Sequence, residues 1–261
     1  MRVHPRSQRT PTVLVVQHEE STGPGWWGDW LADAGLALDV RHPYAGEELP
    51  GPDGPDGIGG TEGFDGLLVL GGAMGPADDD RCPWLPATRA LLSRAATTGL
   101  PTFGICLGAE LLALACDGGV RRGLVGPELG VLPTTPTASA ADDPVFSSLP
   151  ATARVLQWHW EEIDLLPPSA VLLATSPAYP HQAFRLGPAA WGVQGHPEVT
   201  PEIAAAWARE DSPLLVAAGR RPEDLVAEVE DATGELVATW RPVAAAFAAV
   251  VERRGVRPVS R

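Results

Sequence analysis

The sequence predicts an α/β fold: a doubly wound, mostly parallel sheet flanked by helices, with a small antiparallel excursion. Three observations carry this expectation. Residues 12–17, Thr-Val-Leu-Val-Val-Gln, form a run of apolar side chains instead of an alternating one, as strands buried on both faces do. Short β-leaning runs recur at 36–40, 64–70 and 101–105. Segments of helical composition lie between these runs, and such β-α alternation builds a parallel sheet covered on both sides.

The first helix spans 25–34, opened by Pro24 and closed by Gly35. Residues 43–63 are rich in Gly, Pro and acidic side chains and form loop, not core. The strand at 64–70 runs straight into Gly71-Gly72-Ala73-Met74-Gly75-Pro76. A helix over 85–98 precedes the strand at 101–105. From 119 to 169 the pattern is less regular, with β-like pieces at 130–132 and 154–156. Segments 171–174, 182–186 and 190–194 make the antiparallel excursion, which leads to a strand ending at His196. Residues 201–207, 213–219 and 231–254 are Ala-rich and helical. The expected organisation is a disordered lead-in (1–11), one α/β domain (12–205) and a helical extension packed on it (206–261).

Cys106 carries the chemistry. A strand, a Gly104-Ile105-Cys106-Leu107-Gly108 turn and a helix over 109–115 make a nucleophile elbow, with two glycines for the sharp turn. At a helix N-terminus, unpaired N–H groups and the dipole favour a thiolate. Such a thiolate needs a proton carrier held by a third group. His196 ends an apolar run and is followed by Pro197-Glu198, a stiff link that suits a carboxylate orienting one imidazole nitrogen. Cys106, His196 and Glu198 therefore form the expected catalytic triad. Cys82 and Cys116 are read as small buried apolar side chains.

Composition narrows the partners. A formal net charge of −14 argues against nucleic acid or an anionic membrane surface. No unbroken apolar stretch reaches the length of a membrane span, and the N-terminus has no apolar signal core. Three cysteines without pairing or metal-ligand spacing fit a reducing cytosol, so a cytoplasmic location without a metal or cofactor is expected. A Walker-type phosphate loop is absent from the chain.

The chain resembles the class I glutamine amidotransferases, close to the free-standing members related to the amidotransferase domain of GMP synthase. The resemblance rests on five stretches in order: residues 70–75, 104–108, Gln157-Trp158-His159, 178–184 and 194–198. It implies a flavodoxin-like sheet and hydrolysis of a γ-glutamyl amide through a thioester on Cys106. It also implies an oxyanion hole at the N–H groups of Gly72 and Leu107, and substrate contacts at Glu110, Gln157, Trp158, His159 and Trp160. Three positions depart from the family pattern. Glu110 replaces a glutamine that holds the substrate's amino-acid end; a carboxylate there attracts an ammonium and repels a carboxylate. Trp160 replaces a glycine and narrows the pocket. Gly195 replaces a bulky aromatic, loosening the packing that should fix His196. Three functions stay open: a hydrolase of γ-glutamyl compounds, a glutaminase subunit of a synthetase, or a binding protein on the same fold.

Overall fold

The computed structural model describes residues 9–50, 61 and 63–255. Most of the expected lead-in (1–8), residues 51–60 and 62 of the Gly/Pro-rich segment, and 256–261 fall outside that range. The elements run β1 (Thr12–Val16), α1 (Gly25–Asp33), β2 (Ala37–Arg41), β3 (Gly66–Val69), α2 (Leu85–Thr98), β4 (Thr102–Ile105) and α3 (Leu107–Ala115). There follow β5 (Gly119–Arg122), β6 (Glu128–Pro136), β7 (Ala153–His159), β8 (Glu161–Leu165), β9 (Ala170–Thr175), β10 (Ala183–Leu186) and β11 (Ala190–Val193). Helices α4 (Pro201–Glu210), α5 (Ser212–Ala217) and α6 (Pro222–Gly255) close the chain.

The main sheet has the order β2-β1-β3-β4-β11-β10-β9-β6-β7. Its first five strands are parallel, and from β11 onward each neighbour pair is antiparallel. Strand β11 belongs to both halves. The sequence pattern assigns it to the antiparallel excursion, but its other edge pairs parallel with β4, Val193 level with Ile105. That pairing brings the chain leading to His196 alongside the end of β4. The stretch 119–169, irregular in sequence, contains four strands, with β5 and β8 forming a separate antiparallel pair. Gly130, at a φ of 115°, and the prolines at 133 and 136 dilute the strand pattern of β6.

Alternating side chains feed two core layers. Val13, Val15, Leu68, Phe103 and Trp191 face α1 and α6, whereas Leu14, Val16, Leu67 and Val69 face α2 and α3. In α1, Trp27 and Trp30 are buried, and Trp27 lies 4.3 Å from Phe103 between ring centroids. Helix α6 begins nine residues earlier than the 231–254 pattern suggests. By length and composition it could cross a bilayer. Its apolar stripe is instead committed to the core, with Leu225, Val229, Val243, Phe247 and Val251 all fully buried.

Candidate active site

Cys106 stands between β4 and α3 with φ 49° and ψ −110°, a left-handed conformation that L-residues rarely adopt. Its N–H is held by the carbonyl of Val193 in β11 at 2.8 Å. The turn is therefore made by the cysteine itself, and not by the glycines as the motif suggests. The glycines serve close packing instead. A Cβ on Gly108 would lie 2.1 Å from the Val69 carbonyl oxygen, and one on Gly104 would lie 2.6 Å from that of Gly108. Only bare backbone lets α3 sit this close to β3 and β4.

His196 and Glu198 come from the loop after β11. The His196 N–H donates to the carbonyl of Leu156 at 2.7 Å, and its Nδ1 meets Glu198 Oε1 at 2.8 Å. A proton on Nδ1 satisfies that carboxylate and leaves the Nε2 lone pair free. The ring packs edge-on against Trp207 of α4, centroids 4.8 Å apart. Gly71 joins the two groups: a Cβ built there would stand 2.9 Å from His196 Cε1 and 3.6 Å from Cys106 Cβ. Thiol and imidazole thus flank one bare backbone position, both buried.

Gly72 lies next to the Leu107 side chain, since a Cβ there would be 3.0 Å from Leu107 Cδ2. Among the described residues the Gly72 N–H has no protein acceptor. At this helix N-terminus the effect of the dipole is opposed by burial. Burial pushes the Cys106 thiol well above its ordinary range, and the carboxylates of Glu110 and Glu198 add to this, outweighing the Leu107 N–H.

A cavity of about 210 Å³ opens over the sulfur. Trp158, His159 and Trp160 line it, together with Arg122 and Glu161 of the small sheet and Glu110 of α3. Gln157 does not, because its amide is turned to Gln182 at 2.7 Å inside the protein. His159 is pinned through Nε2 to Glu128 at 3.1 Å and through Nδ1 to the Glu161 carbonyl at 2.7 Å, so both of its nitrogens are occupied. It holds the wall more than it offers a free donor.

The site lies within the stretch of chain that matches a known family. Residues 49–208 match the sequence profile described as Glutamine amidotransferase class-I. The chain belongs to the class-I glutamine amidotransferase family. It is 30% identical over 221 residues to the glutamine amidotransferase-like protein YfeJ of Salmonella typhimurium, covering 83% of this chain and 88% of the relative. Gamma-glutamyl peptidase 5 of Arabidopsis thaliana is 29% identical over 142 residues, 54% of this chain and 56% of the relative. The solved structure of a glutamine amidotransferase from Thermotoga maritima superposes with a TM-score of 0.80 at 27% identity, over 95% of this chain and all of that one.

The three departures from the family pattern have structural explanations. Gly195 does not loosen His196. A Cβ at 195 would meet Val155 methyls at 2.7 and 3.0 Å, so Val155 occupies the space an aromatic would need, and Trp207 buttresses the ring instead. Glu110 accepts from Gln194 Nε2 at 2.9 Å, and burial raises its carboxyl to about 7. Near neutrality a sizeable fraction is protonated and then offers one donor and one acceptor, as glutamine does. Trp160 lines the cavity and carries the Arg122 guanidinium 6.0 Å over its ring.

Three contributors escaped sequence reading. Gln194, whose Nε2 lies 3.9 Å from Cys106 Sγ, sits two residues before His196 on an extended chain, and strand periodicity could have revealed it. Trp207 and Glu19 come from segments with no local signal. Glu19 accepts the Ala73 N–H at 3.0 Å and so props the loop after β3.

Proposed function

We propose that this protein hydrolyses a γ-glutamyl amide at Cys106, releasing glutamate and an amine or ammonia. The observation that carries the reading is the meeting of Cys106 and the His196–Glu198 pair across Gly71, beside the unpaired Gly72 N–H. His196 Nε2 takes the Cys106 proton as sulfur adds to the amide carbonyl. The oxyanion is received by the N–H groups of Gly72 and Leu107. Each is worth about 3 kcal/mol by analogy with single oxyanion donors, roughly a hundredfold in rate. The tetrahedral adduct collapses as His196 returns the proton to the leaving nitrogen, giving a γ-glutamyl thioester. Water, deprotonated by His196, attacks the thioester and frees glutamate and the thiol. Glu198 steadies the imidazolium formed in both halves.

The test is glutamate release from a panel of γ-glutamyl amides by the isolated protein, with Cys106→Ala alongside. Turnover by wild type and none by Cys106→Ala is the expected result. Turnover that survives in the alanine variant would remove Cys106 from its role.

A further inference from the structure

The cavity over Cys106 is strongly acidic. Five carboxylates line it, Glu19, Glu110, Glu161, Glu210 and Asp211, against the single guanidinium of Arg122, which is 3.1 Å from Glu161. Among the described residues no arginine or histidine pairs with Glu19, Glu210 or Asp211 within salt-bridge distance. They come from two separate parts of the chain, Glu19 from the loop after β1 and the adjacent Glu210 and Asp211 from the end of α4. Glu19 is raised above its ordinary value by burial and then by the charges of Glu210 and Asp211. Like charges gathered this way are stabilised by a cation. The C-terminal end of α4, a ten-residue helix, contributes its own partial negative charge there. Deeper in the same cavity, Glu110 is only 3% exposed, and its second oxygen has no hydrogen-bond partner among the described residues. When the carboxyl is ionised that oxygen accepts from a ligand ammonium, whose charge in turn favours ionisation.

The orientation of the substrate follows from His196. The leaving nitrogen must lie within reach of its ring, and that ring rests on Trp207. Glu210 and Asp211 follow Trp207 by three and four residues, one helical turn further on the same face. The leaving amine therefore departs along the Glu210–Asp211–Glu19 wall. The glutamyl end lies opposite, its ammonium toward Glu110 and its carboxylate toward Arg122.

We propose that the departing amine bears a second, positively charged amino group, as in the mono-γ-glutamyl derivative of a diamine or polyamine. This rests on γ-glutamyl hydrolysis as the chemistry. One water adds across the amide; its oxygen stays on glutamate, and the amine leaves as a dication after taking up the proton. A γ-glutamyl peptide, whose leaving group ends in a carboxylate, is disfavoured by the same wall.

The test compares three amides whose leaving groups share one pentamethylene chain: γ-glutamyl 1,5-diaminopentane, γ-glutamyl hexylamine and γ-glutamyl 6-aminohexanoate. Glutamate release gives kcat/KM for each. The cationic amide is expected to exceed the neutral one by about tenfold or more, with the anionic one lowest. One exposed ion pair contributes a few-fold, and three carboxylates converge here. The preference shrinks as salt rises from about 0.02 M to about 0.5 M. Glu210→Gln reduces the cation-to-neutral ratio about threefold. Equal kcat/KM for the three amides, or a preference for the anionic one, overturns the inference while γ-glutamyl hydrolysis stands. Release from none of them removes both.

Discussion

Replacing Gly71 with alanine inserts one methyl group between the imidazole and the thiol. The new Cβ would stand 2.9 Å from His196 Cε1 and 3.6 Å from both Nδ1 and Cys106 Cβ. Carbon atoms in comfortable contact are about 3.5–4.0 Å apart, so the ring must retreat by roughly 0.6–1 Å. It has little freedom to do so, being tied to Glu198 at 2.8 Å and seated on Trp207. Gly71 is not in the left-handed region, so its backbone accepts alanine without strain and the effect is steric alone. A catalytic group displaced by about 1 Å loses on the order of a hundredfold in rate. Overpacking should destabilise the fold by about 1–3 kcal/mol, a thermal shift of several degrees for a chain of this size. The assay is kcat for glutamate release at a temperature well below unfolding, with Gly75→Ala as control. That control adds a Cβ in the same loop whose nearest neighbours are at an ordinary 3.5 Å. A folded Gly71→Ala enzyme within about threefold of wild-type kcat would refute the assigned geometry. So would an equal loss in the control.

The other predictions address groups around the same sulfur. Glu110 has a carboxyl raised to about 7 from 4.5, so the stability linked to its neutral form is complete below 4.5 and is lost as pH rises through 7. Glu110→Gln, which never ionises, should match wild type near pH 4 and exceed it by about 3 kcal/mol near pH 9. Denaturant midpoints across pH check this, and parallel curves for the two proteins would rule it out. Because Cys106 sits at φ 49°, Cys106→Gly should be more stable than Cys106→Ala by about 1 kcal/mol, after the entropy of a freer unfolded chain is counted. Calorimetry giving the reverse order would show that the strain is absent. Gly195→Ala should destabilise the protein by about 1–3 kcal/mol, and Val155→Ala should recover part of the loss, since the added Cβ meets Val155. A double-mutant cycle reads the coupling, and strict additivity would argue against that contact.

Much of this molecule is legible locally. The apolar runs of β1, β3 and β4 declare strands buried on both faces, and Gly104 to Gly108 declares a turn built to present one side chain. His196, Pro197 and Glu198 are adjacent, so their pairing is a matter of short-range geometry. The strands β5 to β8 were far less visible, because antiparallel pieces interrupted by Gly130 and two prolines lose the periodicity on which recognition depends. The long reach of α6 was also partly hidden. Its first turns are acidic outside, and their apolar side chains acquire meaning only against β6 and β7.

The sequence alone determined the strand–turn–helix around Cys106 and the histidine–carboxylate unit, since both arise from neighbours along the chain. Tertiary structure alone decided that β11 lies parallel to β4, that Trp207 and not residue 195 braces the imidazole, and that the carboxylates of Glu19, Glu210 and Asp211 share one wall. Those outcomes depend on contacts between segments up to about two hundred residues apart, and which side chains fill a common space is settled only when the whole sheet and its helices close together.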